Sequence, residues 1–234
     1  MSAAANAADL PAAPPVPAYV PFSWTGFYLG GNVAWAPDAG TNTLLGQSFT
    51  ATSNGRFIAG GQAGFNYQIG GFVVGVEGDG DWVAQNNTDS NGVALPLSAL
   101  QAASNATWIA TVAARFGLAV DRALFYGKAG GGWVGNSFTL TNTATGANVT
   151  GPNGNTLSGW LAGAGIEWAF ASNWTVKLEY DYLGLGSSNS FTVPATAPLL
   201  AGDTFSTGSN RNLQMAKVGI NYLFNWSNPV VARY

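Results

Sequence analysis

The stretch from Trp160 to Tyr182 alternates with a period of two, and no other feature constrains the chain as much. Trp160, Ala162, Ala164, Ile166, Trp168 and Phe170 share one parity, and Leu161, Gly163, Gly165, Glu167 and Ala169 share the other. After Ala171-Ser172-Asn173 the alternation resumes, with Trp174, Val176, Leu178, Tyr180 and Tyr182 set against Thr175, Lys177, Glu179 and Asp181. Period two is the strand signal, and a three-residue break containing Asn predicts a hairpin. Setting Phe170 opposite Trp174 places Glu167 opposite Lys177. An opposite-charge cross-strand pair fixes the register, because a slip of one residue would move both charges onto the apolar face. A Glu167–Lys177 salt bridge is the expected result.

Periodicity does not say which face is inside. The polar face carries Gly163 and Gly165, which suits a crowded barrel interior better than a solvated surface. The apolar face has Trp and Phe at the strand ends and small or aliphatic residues between them, the lipid-facing pattern of a transmembrane β-strand. Charged residues make up 8% of the chain, against about 25% in soluble domains. Yet no stretch approaches the ~18 uninterrupted apolar residues of a membrane helix. Low charge without such a run suits a β-barrel or a low-complexity fibre, and 9 Trp in clean alternation argue against the fibre. A net charge of −3 gives no reason to expect nucleic acid as a partner. With 0 Cys there are no disulfides and no thiolate metal sites.

The same alternation recurs along the chain. Strands are expected at about 26–35, 56–69, 72–84, 107–120, 123–138, 160–170, 174–182 and 211–224. Gly70-Gly71, Asp121-Arg122 and Ala171-Ser172-Asn173 make tight turns, and the other four connections are long and polar. The segment 93–103 in the second long loop reads as a short helix. The connections therefore run long, short, long, short, long, short, long, the layout of an eight-stranded antiparallel transmembrane barrel with long extracellular loops and short periplasmic turns. Both termini then lie in the periplasm. Aromatic girdles form at the two rims, with Trp35, Trp82, Trp108, Trp133 and Trp160 at the outer one and Trp174 at the inner one. Ten steps from Trp160 to Phe170, at ~3.4 Å per residue and ~45° of tilt, rise about 24 Å, which matches an apolar band of ~25 Å. A soluble lipocalin-like barrel explains the strand count but not these girdles.

Inward parity collects Glu77, Asp79, Asp81, Arg115, Lys128, Glu167, Lys177, Glu179, Asp181 and Lys217. Buried charges persist only when paired, so these ten predict an interlocked network filling the lumen. Arg115 and Lys128 fall opposite each other, and the carboxylates of the third strand are expected to neutralise them. Glu77, Asp79 and Asp81 are hard oxygen ligands, but spacing along one strand sets them ~7 Å apart, too spread for one calcium ion. No metal or cofactor site is expected. Gly130-Gly131-Gly132 lies mid-strand with no helix after it, so it is not a phosphate loop. With 0 His, the usual general base and every His-based metal or triad site are missing.

The ends read differently. Ala5-Asn6-Ala7 is a small-x-small cleavage site without the preceding basic and apolar regions, so residues 1–7 read as the remnant of a signal peptide. Residues 8–23, with five prolines between Pro11 and Pro21, read as an extended periplasmic tether. The barrel then occupies 24–224, and 225–234 form a C-terminal tail.

The segments W-T-G-F-Y-L-G-G at 24–31, V-V-G-V-E-G-D at 73–79, D-R-A-L-F-Y-G at 121–127 and W-T-V-K-L-E-Y at 174–180 resemble the small outer-membrane β-barrel proteins of alphaproteobacteria, often labelled "porin family". Their fold is similar to the transmembrane domain of outer-membrane protein A. K-V-G-I-N-Y-L-F at 217–224 resembles the C-terminal signal read by the barrel-assembly machinery, through Lys217, Gly219, Tyr222 and Phe224. Such proteins usually end at that aromatic, whereas here 225–234 follow. The resemblance implies outer-membrane lipid and lipopolysaccharide as surroundings. It also implies peptidoglycan as a partner, since relatives are tied to it through an N-terminal Ala-Asp that Ala8-Asp9 matches. Enzymes that resemble this fold rely on His, so catalysis is not expected. Relatives that bind haem at their surface suggest a third role, which the lack of an axial His disfavours. Two functions remain: a structural and surface-interaction protein of the cell envelope, or a small-solute porin.

Overall fold

The computed structural model describes residues 22–37, 39–44, 47–52, 55–84, 100–142, 148–150, 155–186, 189–192, 204–207 and 212–224. The expectations for 1–21 and 225–234 lie outside these residues. Eight strands build the barrel: β1 Gly26–Ala36, β2 Arg56–Ile69, β3 Phe72–Val83, β4 Leu100–Val120, β5 Ala123–Asn142, β6 Asn155–Ala169, β7 Trp174–Leu185 and β8 Asn212–Phe224. Each pairs antiparallel with its neighbour in sequence, and β1 pairs with β8 from Phe27–Phe224 to Trp35–Ala216, which closes the sheet. Closure leaves no barrel edge unpaired, the condition for a sheet to stand in lipid.

The registers inferred from the turns hold. Lys177 lies opposite Glu167, and Arg115 lies opposite Lys128. Three tight connections, at Gly70-Gly71, Asp121-Arg122 and 170–173, sit at one rim with the start of β1 and the end of β8. Gly70 and Asp121 both take positive φ, 62° and 52°, as two-residue hairpin turns require. Asn173 pins the end of β8 twice: its carbonyl accepts from the Leu223 amide at 2.7 Å, and its side-chain amide donates to the Leu223 carbonyl at 2.7 Å.

At the other rim the strands run on past the expected ends. β4 begins at Leu100 and β5 ends at Asn142, paired with each other beyond a bulge between Ala106 and Trp108. Leu100–Ala103 are therefore strand rather than helix, because the β5 extension supplies their ladder partners; residues 93–99 lie outside the described set. Short pieces of strand also occur inside the long connections, with Ala39–Leu44 paired to Gln47–Thr52 and Asn189–Thr192 to Thr204–Thr207.

Burial alternates along every strand as the two-solvent reading requires. Phe27, Leu29, Val76, Val112, Phe116, Leu178, Val218 and Ile220 are exposed on the outer surface. All six girdle tryptophans, Trp35, Trp82, Trp108, Trp133, Trp160 and Trp174, are exposed there too. Trp160 lies flat on Gly184, its pairing partner on β7, where an added Cβ would come within 2.5 Å of the indole nitrogen. Trp174 and Phe224 pack on Tyr222 at the tight-turn rim, with ring centroids 5.2 and 4.9 Å apart.

Candidate functional site in the barrel lumen

Inward parity brings all ten predicted charges into one buried cluster, each no more than 6% exposed. Arg115 enters from β4. Its Nη1 donates to Tyr28 Oη at 2.7 Å and lies 3.3 Å from Glu77 Oε2, while Nη2 donates to Glu167 Oε2 at 2.8 Å. The guanidinium also sits 3.9 Å from the centre of the Tyr126 ring, a cation–π contact. Tyr28 and Tyr126 pass the chain on, donating to Glu77 at 2.8 Å and to Glu179 at 2.7 Å. Lys177 Nζ donates to Glu77 Oε2 at 3.0 Å and lies 3.5 Å from Glu179 Oε2. Lys217 Nζ reaches Asp79, Asp81 and Asp181 at 3.1, 3.4 and 3.5 Å.

One expectation fails here. Lys177 and Glu167 are opposed but do not form the ion pair. Glu167 is taken by Arg115, by the Thr175 hydroxyl and by the Asn221 amide at 2.8 Å. An eight-stranded barrel is narrow enough for a long side chain to reach the far wall. Lys177, on β7, therefore crosses to Glu77 on β3. The cross-strand position sets the register, but the far wall sets the partner.

The third-strand carboxylates also divide. Glu77 meets both Arg115 and Lys128, Asp79 meets Lys128 at 3.7 Å, and Asp81 meets Lys217 instead. A metal-like convergence does exist, but across the lumen rather than along one strand. Oxygens of Glu77, Asp79 and Glu179 lie within 4.8 Å of one another. The Lys128 ammonium stands among them, 3.3, 3.7 and 2.7 Å from their oxygens, where it serves as their cation.

Glycine on neighbouring strands gives these side chains their room. A Cβ on Gly64 would come within 2.3 Å of Tyr28 Oη, and one on Gly163 within 2.2 Å of Asp181 Oδ1. Beside the charges, level with Asp79 and Glu167, an amide relay crosses three strands. Asn32 donates to Gln62 and Gln62 donates to Asn221, each at 2.7 Å.

Sequence reasoning missed what closes the lumen. Toward the long-loop rim, Ile58, Val83, Ile109, Val134, Leu161, Leu183 and Met215 form an apolar layer with Ala34. The signal was available, since each of these stands on the inward parity of its strand toward that rim. Toward the tight-turn rim, Trp24 folds into the mouth before β1 and packs with Val73, Leu124, Tyr126 and Ala169. Its amide is held by the Gln68 side chain at 2.8 Å. Trp24 stands on the inward parity of β1, with Gly26 and Tyr28, but it precedes the strand.

A closed eight-stranded barrel with an apolar belt, aromatic rims and an interior of paired charges defines a small outer-membrane barrel. The chain belongs to the outer membrane protein beta-barrel domain family, whose model matches residues 4–224. It is an integral protein of the bacterial outer membrane. It is 33% identical to the 31 kDa outer-membrane immunogenic protein of Brucella melitensis, over 94% of this chain and 93% of that one. It is 28% identical to the 22 kDa outer membrane protein of Rhizobium leguminosarum bv. viciae, over 86% of this chain and 79% of that protein. The crystal structure of the outer membrane protein OprG from Pseudomonas aeruginosa has the same fold, with a TM-score of 0.50 at 11% identity, covering 88% of this chain and 98% of that one. The names of the family and of these relatives are those of outer-membrane proteins rather than enzymes.

Proposed function

We propose that this protein is a structural and surface-interaction component of the cell envelope, without catalytic activity and without a steady channel. The observation that carries the reading is the filled lumen: ten buried charges paired across it, with apolar side chains packed at both ends. Open aqueous channels belong to barrels of sixteen or more strands, whereas eight strands leave room only for side chains or one small ligand. The long loops are what this protein offers to the outside. The Brucella relative's description as immunogenic fits such a role.

The remaining partners follow from position. Lipid and lipopolysaccharide surround the girdles. The tight-turn rim, with both chain ends, faces the periplasm. Lys217, Gly219, Tyr222 and Phe224 serve as the signal for the barrel-assembly machinery, and the exposed pair Tyr222–Phe224 is the part of it a partner can touch. Ala8-Asp9 ties the Pro-rich segment to peptidoglycan. Mass spectrometry of muropeptides after trypsin reads that link as a stem peptide on the Ala8 amine, and only free N-termini would remove it.

Conductance of the refolded protein in a planar bilayer tests the main reading. The expected trace is flat, with at most rare, small openings. A large and steady conductance would establish the porin function in its place.

A further inference from the structure

A cleft of about 370 Å³ lies at the long-loop rim where β6, β7 and β8 run side by side. That volume falls within the ~300–1,000 Å³ of small-molecule sites. Its lining residues Ser158, Trp160, Gly184 and Asn212 share the outward parity of their strands, and Gly186 continues that of β7. The cleft therefore opens on the outside of the barrel, away from the lumen charges. The register fixes its walls. Gly184 stands between Trp160 on β6 and Asn212 on β8. One step toward the loops, the Gly186 amide donates to the Ser158 carbonyl at 3.2 Å. One step toward the membrane, Tyr182 stands beside Gln214.

Glycine keeps this cleft open. Outward residues of β7 are large as far as Tyr182, and then Gly184 and Gly186 follow. At Gly184 packing demands glycine, because Trp160 lies over it. At Gly186 packing does not: an added Cβ would meet only the Ser158 carbonyl oxygen, at 3.6 Å, and the residue is not among those with positive φ.

The chemistry of the walls narrows the ligand. The Trp160 indole rests on Gly184, is 58% exposed, and has the Tyr182 ring 5.2 Å away. An aromatic face is electron-rich and attracts the slightly positive C–H bonds of a sugar ring. The Ser158 hydroxyl and the Asn212 amide are exposed donors and acceptors at the cleft. Gln214 accepts from Tyr180 Oη at 2.8 Å, which leaves its NH₂ to donate. An acyl chain would leave these polar groups unmatched, and a phosphate would call for Arg or Lys, of which the described lining has none.

Height selects the source. Trp160 belongs to the outer girdle, and Ser158 stands two residues beyond it, ~7 Å along a strand tilted by ~45°. That level is where the headgroups of the outer leaflet meet the barrel. We infer that this cleft is a saccharide site that holds a sugar of the lipopolysaccharide headgroup, with Trp160 as its stacking platform. The inference rests on the orientation proposed above, with the long loops outward.

The test refolds the full chain in detergent, where neither orientation nor conductance enters, so its failure is distinct from failure of the envelope reading. Native mass spectrometry measures retention of purified lipopolysaccharide, of the same lipopolysaccharide stripped of phosphate, and of phosphatidylethanolamine. The expected result is one lipopolysaccharide held at least about tenfold more tightly than phosphatidylethanolamine, with or without its phosphates. Gly186→Val, which fills the cleft, and Trp160→Leu, which removes the platform, abolish that preference. Ser158→Ala/Asn212→Ala, which leaves the glycines and the platform in place, weakens it about tenfold. Gly186→Val unfolds at the temperature of the parent, so its loss reports the cleft rather than the fold. No preference over phosphatidylethanolamine, a preference that disappears with the phosphates, or full retention by both Gly186→Val and Ser158→Ala/Asn212→Ala overturns the inference.

Discussion

Strand β7 shows one strand meeting two solvents. Outward, Val176, Leu178 and Tyr180 lie side by side against lipid. Inward, Lys177 and Glu179 are fixed by partners on β3 and β5, four strands away and two strands away around the barrel. The lipid face asks of each residue only that it be apolar, so neighbours there are nearly independent. The lumen face asks each residue to match several others, so a change is felt around the whole circumference. The two faces should therefore fail differently.

Lys128 gives the largest expected effect. Its ammonium touches Glu77, Asp79, Glu179 and Asp181, and Lys128→Met removes the cation while leaving four buried carboxylates together. Removing one partner of a buried ion pair costs about 3–5 kcal/mol. Unfolding in lipid vesicles should show at least that loss; a loss below that of a lipid-face substitution would break the comparison. Val112→Arg is that substitution. Val112 is exposed on the outer face, and a charge at mid-membrane costs about 2–4 kcal/mol. The loss should shrink in detergent, where the headgroup is easily hydrated, while the Lys128 effect should not.

Gly163→Ala tests how tightly the lumen is packed. The new Cβ would come within 2.2 Å of Asp181 Oδ1 and 2.9 Å of the Tyr180 carbonyl oxygen. Overpacking of this kind costs about 1–3 kcal/mol. A Gly163→Ala barrel as stable as the parent would mean that the interior yields more than its glycines suggest. The smallest effect belongs to Tyr180→Phe on the outer face, which deletes a 2.8 Å bond from Tyr180 Oη to the Gln214 side chain. That exposed bond contributes roughly 0.5–1 kcal/mol, so the midpoint of unfolding should barely move.

The sequence made one face of the molecule much more legible than the other. A two-residue period and three tight turns determine strand order, parity and register, because a one-residue slip would invert both faces. Glu167 opposite Lys177, and Arg115 opposite Lys128, follow from turn counting alone. Which charge pairs with which does not follow. Glu77 and Lys177 are 100 residues apart and meet only because closure and strand tilt bring β3 and β7 to opposite sides of a narrow lumen. Trp24 was missed for a different reason: it continues the inward parity of β1 but plugs the mouth from before the strand begins. Of the helix expected at 93–103, the described part, 100–103, is strand, because local composition was read without the partner strand that extends β4. Only the apolar layer beneath the long loops was overlooked rather than hidden. Ile58, Val83, Ile109, Leu161 and Leu183 all stand on the inward parity.

The claim that charges pair across the lumen, rather than along adjacent strands, is tested most directly by two double-mutant cycles run side by side. One combines Lys177→Met with Glu77→Gln, and the other combines Lys177→Met with Glu167→Gln, each followed by reversible unfolding in lipid vesicles. Contacting partners in a network couple by roughly 0.5–3 kcal/mol. The 3.0 Å contact between Lys177 Nζ and Glu77 Oε2 predicts coupling in that range for the first cycle and a clearly smaller value for the second. Equal couplings, or a larger one for the facing pair Lys177 and Glu167, would contradict it.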